Sequence, residues 1–82
     1  FLSASALTNT KLPSIDFSGA NLAGKDLMRV DFTQCTGLTG SQLAAASDIT
    51  YIYLTQAQYD AMKADLPSRK LVYVDGVMTR IP

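Results

Sequence analysis

Three sets of side chains in this 82-residue chain could do chemistry. Cys35 is the sole thiol and could serve as a nucleophile. Asp16, Asp26 and Asp31 recur in steps of ten and five and could line up as a carboxylate row for a cation. Lys25, Met28 and Arg29 place two cations beside a thioether, a combination suited to contact with a partner. A plainer reading stands beside each. The chain contains no His. Serine–histidine catalysis, histidine metal sites and histidine acid–base chemistry are therefore closed to it, and Cys35 has no imidazole to activate it. Burial as a small apolar residue is its expected role. No bidentate Glu or ligand loop accompanies the aspartates, so corner-capping or solvated carboxylates are expected there. The stretch "SGANLAG" lacks both G-x-G-x-x-G and a P-loop Lys and carries no phosphate-binding signature. Tyr51, Tyr53, Tyr59 and Tyr73 fit either an aromatic contact patch or core and cap packing, with packing preferred. For Met28 and Arg29 a solvated corner is the competing reading. No residue is assigned a catalytic, cofactor-binding or metal-binding role, and no cofactor is expected. Lys25, Met28 and Arg29 are the candidate partner contacts.

Totals narrow the partner class. The composition is 48% hydrophobic and 17% charged, with seven basic residues against seven acidic ones. Zero net charge removes the long-range attraction that nucleic-acid binders and anionic-membrane binders depend on. One Cys excludes an internal disulfide and leaves the redox compartment open. No apolar run approaches the roughly 20 residues of a membrane helix. The expected partner is thus another protein, with no nucleic acid and no membrane insertion.

What must position these side chains is a period of five. Leu2, Leu7, Leu12, Phe17, Leu22, Leu27 and Phe32 form seven successive centres, with small or polar residues between them. A helix would scatter residues five apart around its axis. A strand would alternate them between faces. Only a coil that turns a corner every five residues keeps all the centres inside, which is the signature of a solenoid. Gly19 and Gly24 close two pentads where a turn favours a residue without Cβ. Two places before each later centre, Ile15, Ala20 and Val30 suit an inward but cramped position, as does Cys35 at the opening of the next pentad. Lys25 does not: either its stem snorkels outward or the coil bulges locally.

The segments "IDFSG", "ANLAG", "KDLMR" and "VDFTQ", residues 15–34, resemble the pentapeptide-repeat family, whose unit reads A-(D/N)-L-x-x. The resemblance covers residues 1–36, and "ANLAG" matches every defined position. It implies a right-handed quadrilateral β-helix with four pentads to a coil, so that Leu2 stacks under Leu22, Leu7 under Leu27, and Leu12 under Phe32. The expected fold class is mainly β: about two coils over residues 1–36, then a C-terminal mixed α/β cap over 37–82.

Past Phe32 the register slips, and the pattern changes. "TGLTGSQLAAA" reads as a loop and a short helix with Thr39 or Ser41 as N-cap. Residues 49–54, "ITYIYL", read as a strand with Ile49, Tyr51 and Tyr53 on one side and Ile52 and Leu54 on the other. Thr55 and Gln58 form a capping box ahead of a helix whose apolar stripe is Tyr59, Met62 and Leu66, stopped by Pro67. Asp75-Gly76 marks a two-residue hairpin. Leu38, Leu43, Ile49 and Tyr51 are expected to cover the last coil. The repeat starts abruptly at the first residues without a cap, so a fragment of a longer chain is expected. End-to-end association of that fragment through its open first coil follows.

A rigid, non-catalytic scaffold for protein–protein interaction is the leading functional expectation. The resemblance offers two others. One branch of the family protects DNA gyrase by imitating DNA, which implies a strongly acidic surface, and zero net charge does not supply one. Some bacterial secreted effectors similar to HECT-type ubiquitin ligases carry such a β-helix to recruit partners. In that case Cys35 would not be the ubiquitin-accepting thiol. The compartments implied are the bacterial cytoplasm or a host cell reached by secretion.

Overall fold

The computed structural model describes residues 10–82. Leu2 and Leu7, the opening coil and its end-to-end association fall outside that span. From Phe17 onward the period of five is built from corner turns. Backbone N–H groups of Ala20, Lys25, Val30 and Cys35 donate to the carbonyls of Phe17, Leu22, Leu27 and Phe32, at 2.9–3.2 Å. Each such turn starts at a pentad centre and leaves the centre side chain pointing inward. Leu12, Phe17, Leu22, Leu27 and Phe32 are accordingly all buried. Val30 and Cys35 fill the inward place two residues before a centre position and are buried too, whereas Ile15, Ala20 and Lys25 there are half-buried.

The aspartates make the corners. The side-chain oxygens of Asp16, Asn21, Asp26, Asp31 and Asp48 each accept from the backbone N–H two residues on, at 2.8–3.1 Å. These are Asx turns repeated once per pentad. Parallel bridges then stack one corner on another. Lys11 pairs with Asp31 and Asp16 with Thr36, four pentads apart, while Asp26 pairs with Asp48 and Asp31 with Tyr53, two residues further apart. The extra residues accommodate the excursion of the first helix.

That helix, α1 (Gly40–Ala45), takes Thr39 as its N-cap, with a complete Thr39–Gln42 capping box. A short strand β1 (Tyr53–Leu54) follows, then α2 (Gln56–Met62) behind the Thr55–Gln58 box, and a 3-10 turn (Lys63–Asp65). Tyr59, Met62 and Leu66 are buried, as their stripe predicts. Strands β2 (Leu71–Val74) and β3 (Val77–Arg80) form the hairpin around Asp75-Gly76, both turn residues having positive φ. The sheet order is β1-β2-β3, with β1 parallel to β2 and β2 antiparallel to β3.

Residues 49–54 differ from a continuous strand. Only Tyr53 and Leu54 are strand, because a corner turn intervenes, with the Ile52 N–H donating to the Ile49 carbonyl at 3.3 Å. The corner puts Ile49 on the inside with Ile52 and Leu54, all essentially fully buried, and turns Tyr51 outward with Tyr53. Tyr51 therefore does not join the covering layer. Leu43 is buried and Leu38 packs against the core.

Candidate functional site

The bridged register lines up one outward residue per rung. Lys11, Asp31, Tyr53, Tyr73 and Met78 form a row that runs across the strands. Side chains two residues apart share a face. A second row therefore runs beside the first through Arg29, Tyr51, Leu71 and Arg80, with the Tyr51 N–H donating to the Leu71 carbonyl and Leu71 paired to Arg80.

Aromatic contacts hold this face together. Tyr53 and Tyr73 stack with centroids 4.7 Å apart and planes 9° from parallel. Tyr51 lies 6.1 Å from Tyr73 at a tilt of 44°. The Arg29 guanidinium sits 5.5 Å from the Tyr51 ring centroid, within cation–π range. A shallow recess of about 270 Å³ opens beside it, lined by Thr10, Lys11, Arg29, Asp31 and Tyr53. Along the two rows, Lys11, Arg29 and Arg80 face a single carboxylate, Asp31. The chain is neutral as a whole, so this face is positive at the expense of others, where Asp26 bridges Asp48.

Arg29 and Tyr51 share a backbone oddity. Both occupy the third position of a corner turn, with φ of 62° and 63°. Glycine fills the equivalent place at Gly19 and Gly24, both with φ 72°. A left-handed backbone costs a residue with a Cβ about 1–2 kcal/mol. Here it is tolerated twice in stacked corners, where the Arg29 N–H donates to the Thr50 carbonyl. The two strained residues are also the cation–π pair.

Among the contacts suggested by the sequence, Arg29 is exposed on this face, while Met28 and Lys25 are half-buried. The Met28 N–H is held by the Asp26 carboxylate, and the Lys25 carbonyl accepts from the Ser47 N–H. Tyr51, Tyr53, Tyr73, Leu71 and Arg80 join Arg29 only through the cross-strand register. Of the four tyrosines, only Tyr59 is packed into the core. The alternation of Tyr51 and Tyr53 was the one local signal for an outward aromatic face.

Elsewhere the reactive groups are engaged in structure. Burial pushes the Cys35 thiol up, and its sulfur lies 3.6 Å from the Pro13 carbonyl. The Asp16 carboxyl is held below its usual range by the hydroxyl and N–H of Ser18. Those of Thr50, aided by Lys70, do the same for Asp48. Such carboxylates are turn acceptors.

The repeating corner, with Asp or Asn before a buried Leu or Phe, is matched by the family model for pentapeptide repeats, in eight copies over residues 2–36 and 11–47. The chain belongs to the pentapeptide-repeat family. Its fold is that family's β-helix, and the parallel bridges four pentads apart are the stacking such a helix requires. No curated protein and no solved structure gives a match to the chain. As a pentapeptide-repeat domain it has the kind of repeat fold that often mediates protein interactions.

Proposed function

We propose that this chain is a non-catalytic protein–protein interaction module. The repeat coils that run up to residue 36 are closed by the mixed α/β segment 37–82, which carries the last bridged corner at Asp48–Leu54 and the hairpin. Its contact surface is the tyrosine–arginine face, and its partner is a protein with an acidic contact surface. The observation that carries this reading is the pair of left-handed corners at Arg29 and Tyr51. Backbone strain with Gly available at sister corners is the mark of a position kept for its side chain. Supporting it, Tyr and Arg are enriched at contact hot spots and Met in interfaces, and all three meet here. Little ordering entropy would be lost on docking, since the rings already stack on one another.

The test is capture from cells of the source organism by the wild-type chain and by two variants of unchanged melting temperature. Arg29→Gly combined with Tyr53→Ser should lose a protein that the wild type retains, and Ala57→Lys on α2 should keep it. Retention by the face variant, or loss only with Ala57→Lys, would move the contact to another surface and end this reading.

A further inference from the structure

We propose that the β3 edge is a dimerisation strand, and that its occupant is a second copy of this chain. The inference concerns the open backbone edge of β3, whose Met78 and Arg80 also end the two rows of the tyrosine–arginine face. Among the described residues, β3 has a neighbour on one side only, β2. The two large apolar residues that stand exposed among those described, Val77 at 65% and Met78 at 48%, both lie on it. The antiparallel register decides which backbone groups are open. Ile81 donates its N–H to the Lys70 carbonyl at 2.9 Å. In an antiparallel ladder inward and outward bonding alternate residue by residue. Thr79 thus bonds toward β2, while Met78 and Arg80 turn their N–H and C=O groups away from it.

That spacing is self-complementary. A two-fold axis through Thr79 sets Met78 opposite the other copy's Arg80, and Arg80 opposite its Met78, each pair exchanging both backbone bonds. No like charges stand directly opposite. The arginine stem covers the thioether while its guanidinium stays in water. Zero net charge leaves no long-range repulsion between copies. The Asp75-Gly76 turn at one end and Pro82 at the other confine pairing to this short stretch. The symmetric contact closes on itself and leads to a dimer, not a fibre.

Two measurements test it. Amide hydrogen exchange on the wild-type chain should show Met78 and Arg80 becoming protected as concentration rises from micromolar to millimolar, while the Thr79 amide is protected throughout. Sedimentation should show a dimer that Met78→Pro or Arg80→Pro converts to monomer with an unchanged far-UV spectrum, since each removes an outward N–H. Tyr53→Ser should leave the dimer intact. A monomer at millimolar concentration, exchange at Met78 and Arg80 that ignores concentration, or a dimer lost with Tyr53→Ser would each overturn the assignment.

Discussion

Arg29 and Tyr51 hold a backbone conformation that their Cβ atoms disfavour, and the stacking of guanidinium on ring is part of what offsets it. Two effects oppose one another when Arg29 is replaced by Gly. Relief of the left-handed backbone is worth about 1–2 kcal/mol, and an exposed cation–π contact about 0.5–1 kcal/mol. The greater freedom of Gly in the unfolded chain takes away a further ~0.4–1 kcal/mol, so Arg29→Gly should stay within about 1 kcal/mol of wild type in urea unfolding. Arg29→Val keeps the strain, adds β-branching and loses the contact, and should cost more than about 1 kcal/mol. Asp48 offers a second case. Its folded carboxyl is held below the usual range by Thr50, so the charged form contributes stability above the unfolded pKa of about 3.9. That contribution is lost as pH falls through the depressed folded value. Asp48→Asn should keep the corner, as Asn21 does, and should flatten the stability loss below about pH 4. Asp48→Ala should cost about 0.5–1.5 kcal/mol at neutral pH, through the unpaired Thr50 N–H. Urea midpoints across pH 3–7 separate the two variants.

The two helices are docked by one device used twice. "LTGSQL" at residues 38–43 and "LTQAQY" at 54–59 share the same Leu-Thr-x-x-Gln frame. In each, the glutamine oxygen closes the capping box, leaving its amide nitrogen free to reach a corner. Gln42 donates to the carbonyls of Phe17 and Ala20, at 2.7 and 3.0 Å. Gln58 donates to those of Phe32 and Cys35, at 2.9 and 3.1 Å. A capping box alone needs only an acceptor at this position, so Glu would serve the helix equally well. The corner carbonyls need a donor. Gln42→Glu and Gln58→Glu should therefore each cost more than about 1 kcal/mol although both keep the box, and calorimetry should detect the drop in melting temperature. Local exchange at the amides of α1 should accelerate in the Gln42 variant. The capping box of α2 was legible in "TQAQ", because it is a contact three residues long. The link to a corner some 25 residues away was not, since nothing local distinguishes a glutamine that caps from one that also clamps.

Across the molecule, a single apolar interior runs from the corners into the sheet, uniting Leu12, Phe17, Leu22, Leu27 and Phe32 with Ile49, Leu54, Val72 and Ile81. Ile49 sits between the repeat and the closing segment, essentially fully buried. A carboxylate there would lose its hydration with no partner to replace it. Ile49→Asp should leave the chain unfolded or aggregated at room temperature. A variant melting within a few degrees of wild type would show that the closing segment and the repeat do not share one core.

The repeat follows from residue order alone. A period of five with Leu or Phe at its centre has one inward solution, and Asp or Asn before each centre from Phe17 to Phe32 makes the corner by bonding two residues on. The corners, the buried centres, both capping boxes and the Asp75-Gly76 turn are all short-range consequences of residue type, and each could be read from neighbours in the chain. What lies outside depends on how distant rungs come into register. A corner inserted at Ile49–Ile52 parted two residues expected on one side, leaving Ile49 inward and turning Tyr51 outward, since one turn changes which alternate side chains point inward. The register between distant rungs then set Tyr53 on Tyr73 and Arg29 over Tyr51. Lys25, Met28 and Arg29 are close in sequence, yet a face built across rungs gathers residues some twenty apart, and cross-strand pairing alone determines which of them meet.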